Sequence, residues 1–156
     1  MGDLNQLHPK VKELALKHIA KCKEAGIDLL IYCTYRSIAE QNEIYKKGRT
    51  IPGNPCWCGG KENKVGTCKK HPLGLKPTNA KGGQSFHNYH VAYDCGPMIG
   101  GNVAWNREDL FKKVGTIGES LGLEWGGHFK SIVDLPHFQY TGGLTLKDFQ
   151  AGKTIK

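Results

Sequence analysis

A chain of 156 residues with 38% hydrophobic content has material for one domain with a real core and too little for two ordinary ones. Its formal net charge of +8 favours polyanionic partners, which include nucleic acid, anionic lipid headgroups and bacterial envelope polymers, without choosing among them. No apolar run approaches the roughly 20 residues a membrane span needs, and residues 1–20 alternate lysines with aliphatics where a signal peptide would carry an unbroken apolar core. The expected place of synthesis is therefore a reducing cytosol.

The first helix is predicted over residues 9–25. Val11, Leu14, Ala15, Ile19 and Cys22 form its apolar stripe, Pro9 suits its first turn and Gly26 its C-terminal cap. IDLLIYCTY is continuous in apolar, β-branched and aromatic residues and reads as a buried strand with Arg36 at its end. Ser37 and Glu40 have the spacing of a capping box that opens a short helix through Ile44 and Tyr45, stopping at Gly48, with Gln41 facing back from its first turn. Residues 49–84 show neither helical nor strand period and read as one long loop. VAYDC is a second strand closed by a Gly-Pro turn, and residues 98–105 are its returning partner. Asn106 and Asp109 suggest an N-cap for a helix with Leu110, Val114, Ile117 and Leu121 on one face, although Gly115 and Gly118 are poor helix formers. LEWGG and LPHFQY read as short strands, and Thr145 to Gln150 as a closing helix. Without a regular βαβ rhythm, the fold class expected is α+β, a small antiparallel sheet with helices packed around it.

Six cysteines in a chain without a secretion signal point to core positions, metal ligands or free thiols before a disulfide framework. Cys22, Cys33 and Cys95 stand singly in apolar stretches and read as core residues. Cys56, Cys58 and Cys68 crowd into the long loop, where with His71 they offer four ligands for a small structural zinc. The CxC and CxxH spacing also admits a disulfide or free thiols.

The chemistry-bearing stretch is SFHNYHVAYD, with His87 and Asp94 seven positions apart. On a helix these would lie roughly 10 Å apart along the axis, so a loop running into a strand is the geometry that lets both reach one ion. His137 in DLPHFQY, Glu124 in LEWGGH and Arg36 are candidates to complete a site. Each has an ordinary alternative: Glu124 as a surface carboxylate, Arg36 as half of a surface ion pair, and His8 and His18 as solvated histidines.

The patterns SxHxxxxAxD (85–94), EWGG (124–127), DxPHFQ (134–139) and YRS with a glutamine five residues beyond the arginine together resemble the zinc D,D-carboxypeptidase and L-alanyl-D-glutamate peptidase family that includes the VanY-type enzymes. Within it the likeness is to small bacteriophage endolysins, and it runs from Tyr35 to about Gly152. The resemblance implies a VanY- or Hedgehog-like fold and one catalytic zinc held by His87, Asp94 and His137 with a position left open for water. It also implies Glu124 as general base, Arg36 as stabiliser of the oxyanion, and Ser85 and Gln41 close to substrate. His90 stands where the family has glycine, which puts an altered turn and an extra imidazole near the metal. His128 and Phe129 replace an acidic residue and a tryptophan. Residues 54–75 form an apparent insertion, expected to act as a lid or stapled flap.

The activity this implies is zinc-dependent hydrolysis of the L-alanyl-D-glutamate bond of peptidoglycan by a monomeric phage lysis enzyme, made in the host cytoplasm and acting on the wall after release. Removal of a terminal D-alanine is the alternative. Residues 1–156 are expected to form one peptidase domain without a separate wall-binding domain, the basic surface supplying attachment to anionic envelope polymers. A nucleic-acid module fits less well, lacking basic residues interleaved with exposed aromatics on one face. A metal-holding binding module without activity is the other rival.

Overall fold

Val11, Leu14, Ala15 and Cys22 lie buried along one face of α1 (Pro9–Glu24). His8 caps this helix by accepting the Lys10 amide at Nδ1, and Gly26 leaves it in the left-handed region at φ +79°. The computed structural model describes residues 2–156, which fall into two compact units. One runs up to Tyr35 and resumes over Tyr89–Lys156, and the other is Arg36–Asn88.

The first unit holds the whole sheet. Strands β1 (Asp28–Cys33), β2 (Ala92–Ile99), β4 (Glu124–Trp125) and β5 (His137–Gln139) pair antiparallel in the order β1-β2-β5-β4, and β3 (Asn102–Val103) pairs with the far end of β2. Helix α1 packs on β1 and on α3 (Glu108–Ser120), and α3 packs on β2 and β4. Tyr93, Cys95, Phe138 and Trp125 are buried in the sheet, and a short helix α4 (Leu146–Gln150) closes the chain behind a Thr145–Asp148 capping box.

The structure departs from the sequence expectations at several elements. Strand β1 is an edge strand in which only Ile31 is buried, because an antiparallel edge is covered on one face alone. Strand β2 does not stop at its Gly-Pro but continues to Ile99. The Pro97 carbonyl accepts the Ala104 amide, so the proline's missing N–H falls on that side and takes no bond from β1. The Gly100–Gly101 pair, both at positive φ, forms the hairpin turn rather than part of the returning strand. Helix α3 lacks a side-chain cap from Asn106; Arg107 occupies the cap position and pairs instead with Asp109. Its buried face is Phe111, Val114, Gly115 and Gly118, rotated from the stripe expected, because a Cβ at 115 would overlap the Trp125 ring.

His18 is likewise no solvated histidine but has 0% exposure. Its Nε2 lies 2.9 Å from the Val114 carbonyl and its Nδ1 2.8 Å from the Tyr93 hydroxyl. A carbonyl only accepts, so Nε2 carries a proton; burial favours the neutral ring, in which Nδ1 accepts from Tyr93.

The second unit starts with α2 (Ile38–Lys46), capped by the Ser37–Glu40 box read from the sequence. Beyond it, residues 49–84 form a loop with one short 3-10 turn at Cys58–Gly60 and isolated bridges. One bridge pairs Asn54 with Leu75, and another pairs Cys56 with Asn63.

Candidate active site

Register decides what shares the open face of the sheet. Asp94 stands opposite His137, and Glu124 opposite Gln139. Cross-strand partners project to the same side, as do residues two apart on a strand, so all four side chains line one face while Tyr93 and Phe138 turn inward. The turn after β4 is set by Gly126. A Cβ there would run into the Asp134 carbonyl, whose residue donates its own amide back to Gly126 at 2.9 Å.

On this face His137 Nε2 lies 2.8 Å from Gln139 Oε1, and Gln139 Nε2 lies 2.6 Å from Glu124 Oε2. A carboxylate only accepts, so Gln139 turns its amide N–H to Glu124 and its carbonyl to His137, whose Nε2 must then carry a proton. In a neutral ring the lone pair is thereby left on Nδ1, 3.3 Å from Asp94 Oδ1. Two acceptors at that distance repel unless a proton or a cation lies between them. Ligands each roughly 2.0–2.2 Å from a tetrahedral zinc would stand about 3.4 Å apart, so the pair fits a divalent ion. Asp134 joins Asp94 and His137 in a group whose ligand atoms lie within 4.8 Å of one another.

The remaining predicted residues belong to the second unit. Arg36 Nη1 donates to Gln41 Oε1 at 2.9 Å, and Gln41 Nε2 donates to the Ala80 carbonyl at 2.7 Å. Gln41, expected near substrate, has 0% exposure, and its side-chain carbonyl aims the guanidinium. The Arg36 amide donates to the His87 carbonyl, and Asn88 Nδ2 to the Arg36 carbonyl. Ser85 Oγ accepts the His87 amide at 3.2 Å, and the His87 ring is buried. Asn88 Oδ1 takes the amides of Gly83 and Ser85, which fixes the loop that carries His87.

His90, standing at the family's glycine position, keeps the glycine-like conformation at φ +65° and is the one non-glycine residue to do so among those described. Its ring is stacked on Tyr35 at 4.0 Å and its Nδ1 bonds to the Gln6 carbonyl at 2.6 Å. The imidazole is thus committed to Tyr35 and Gln6. Reading the sequence alone missed Gln139 and Asp134 as site residues, though both stand in the DxPHFQ motif. Gln139 could have been found from its spacing, since it follows His137 by two on a strand.

A small α+β domain with an imidazole, a carboxylate beside it and a second, amide-held carboxylate on one sheet face has the equipment of a metallopeptidase. An M15 peptidase family model described as D-alanyl-D-alanine carboxypeptidase matches residues 78–140. The peptidoglycan L-alanyl-D-glutamate endopeptidase CwlK of Bacillus subtilis (strain 168) is 33% identical over 144 residues, covering 86% of this chain and 74% of CwlK. The chain belongs to the M15 peptidase family. The L-alanyl-D-glutamate peptidase of Listeria phage A118 is 27% identical over 90% of this chain, which spans 40% of that protein's length. Among solved structures, the Serratia marcescens L-Ala D-Glu endopeptidase ChiX shares the fold at a TM-score of 0.57 and 22% identity, over 94% of this chain and 86% of ChiX. A VanY D,D-pentapeptidase solved with Zn(II) does so at 0.59 and 13% identity, over 95% of this chain and 80% of VanY.

Proposed function

We propose that this chain hydrolyses the L-alanyl-D-glutamate bond in peptidoglycan stem peptides, as a phage lysis enzyme, with one catalytic zinc held by His87, Asp94 and His137. The observation that carries the reading is the ordered Asp94–His137–Gln139–Glu124 face. The choice of bond follows CwlK and the phage A118 peptidase, both named for it. When bound, the ion supplies Lewis-acid polarisation and lowers the pKa of water towards about 7.

The protein's own groups do the rest. Gln139 holds the Glu124 carboxylate in place, and Glu124 takes the proton from the attacking water and returns it to the departing amine. Arg36, aimed by Gln41, offers a fixed positive fork to the negative charge that grows on the scissile carbonyl oxygen. Ser85 steadies the backbone of His87 and so the direction of its ring. The test is incubation of purified stem peptides with the protein, read by mass spectrometry. Fragments split between alanine and glutamate support the reading. Release of free D-alanine would instead favour the carboxypeptidase activity, and intact peptide with bound metal a binding module.

A further inference from the structure

The insertion bounded by Asn54 and Leu75 has almost no apolar core of its own. Only Cys56 and Gly74 within it are buried, and Trp57 is 64% exposed. Segments far below about 40 residues hold a shape through disulfides, metals or association. This one converges on a single point, for the sulfurs of Cys56, Cys58 and Cys68 and a ring nitrogen of His71 all lie within 4.8 Å of one another.

We propose that Cys56, Cys58, Cys68 and His71 bind a structural zinc ion that organises the insertion, a site separate from the catalytic one and independent of the peptidase reading. In a tetrahedral site with zinc–sulfur bonds of about 2.3 Å and a zinc–nitrogen bond of about 2.0–2.1 Å, sulfur and nitrogen stand about 3.6 Å apart. His71 Nδ1 lies 3.4 Å from Cys58 Sγ and 3.9 Å from Cys68 Sγ, on either side of that value.

The surroundings suit thiolates. Asn63 Nδ2 donates to Cys56 Sγ at 3.6 Å while anchored on the Cys58 carbonyl at 2.7 Å. N–H groups aimed at ligand sulfurs are the outer contacts that orient a metal site. The turn in which the His71 amide meets the Cys68 carbonyl at 3.2 Å brings this CxxH pair onto one side, and the Cys56–Asn63 bridge does the same for the CxC pair. Four protein ligands close the coordination sphere, which marks a structural rather than a catalytic ion. A disulfide would consume two sulfurs and leave a thiol and an imidazole directed at the same point without a task. Lys61, Lys64, Lys69 and Lys70 in the same segment offset the residual negative charge of three thiolates on one zinc.

The test uses the full chain expressed with zinc. Elemental analysis should count two ions per chain in the wild type, and one each in His87→Ala/His137→Ala and in Cys58→Ser/Cys68→Ser, so failure of either site is read separately. Zinc-edge absorption of the His87→Ala/His137→Ala protein should show three sulfur neighbours and one nitrogen. As a check needing no variant, iodoacetamide labelling of the wild type should leave Cys56, Cys58 and Cys68 unmodified until a chelator is added, and label all three afterwards. No zinc in the His87→Ala/His137→Ala protein, equal labelling with and without chelator, or a Cys-containing peptide two hydrogens lighter, as a disulfide requires, would each overturn the proposal.

Discussion

Gln139 can serve its two neighbours in only one orientation, and that orientation fixes the tautomer of His137. Replacing it with leucine keeps the volume but removes both bonds, leaving the His137 ring free to turn over and Glu124 unsupported. Metal affinity, followed by chelator competition, should fall about 10–100-fold, as for other outer contacts of metal ligands. Glu124→Ala should behave differently: hydrolysis drops by about 10²–10⁴-fold while bound zinc, counted on the purified protein, is unchanged. His90 offers a residue-scale test of backbone strain. At φ +65° a side chain with a Cβ costs roughly 1 kcal/mol over glycine, whereas the Tyr35 stack and the Gln6 bond are lost equally in either small replacement. His90→Gly should therefore unfold at higher denaturant than His90→Ala, by about 1 kcal/mol; equal midpoints would show that the turn carries no strain.

At the scale of elements, what could be read from the sequence was what is decided locally. The Ser37–Glu40 box and the α1 stripe each depend on neighbours a few residues away, and each was found where the residues placed it. The course of β2 through Pro97 was not legible, because it depends on which edge of the strand is paired. The burial of His18 was hidden for a similar reason, since its partners Tyr93 and Val114 come from β2 and α3. Burial pushes the His18 pKa below its ordinary value, with the Val114 bond opposing. The native state thus binds this proton less readily than the unfolded chain, whose histidine titrates near about 6.5. The stabilisation is present above that pH and is lost as pH falls below it. His18→Gln, which can still donate to Val114, should flatten the fall in stability between about pH 7.5 and 5, measured by urea unfolding. Gly115→Ala drives a methyl into Trp125 and should cost about 1–3 kcal/mol in the same assay.

For the whole molecule, the candidate site shows how far a sequence reaches. Asp94, His137 and Glu124 were named from family motifs, and register then placed them on one face; spacing alone puts Gln139 on the His137 side, but only the register sets it opposite Glu124. Net charge lies at the other extreme, fully legible and independent of fold. The +8 of the chain is the excess of 22 lysines and arginines over 14 aspartates and glutamates; pairs such as Lys17–Glu13, Lys21–Glu24 and Lys46–Glu43 are solvent-exposed, weak and neutral in the sum. Such a surface keeps its attraction for anionic polymers, and the attraction acts over a Debye length of about 10 Å at 0.1 M salt and 3 Å at 1 M. If wall attachment rests on this field, the fraction of protein sedimenting with purified cell walls should fall steeply between these two salt concentrations. Cleavage of a soluble stem peptide, which does not depend on attachment, should change far less over the same range. Retention that holds through 1 M salt would place wall binding in specific contacts instead of in the charge.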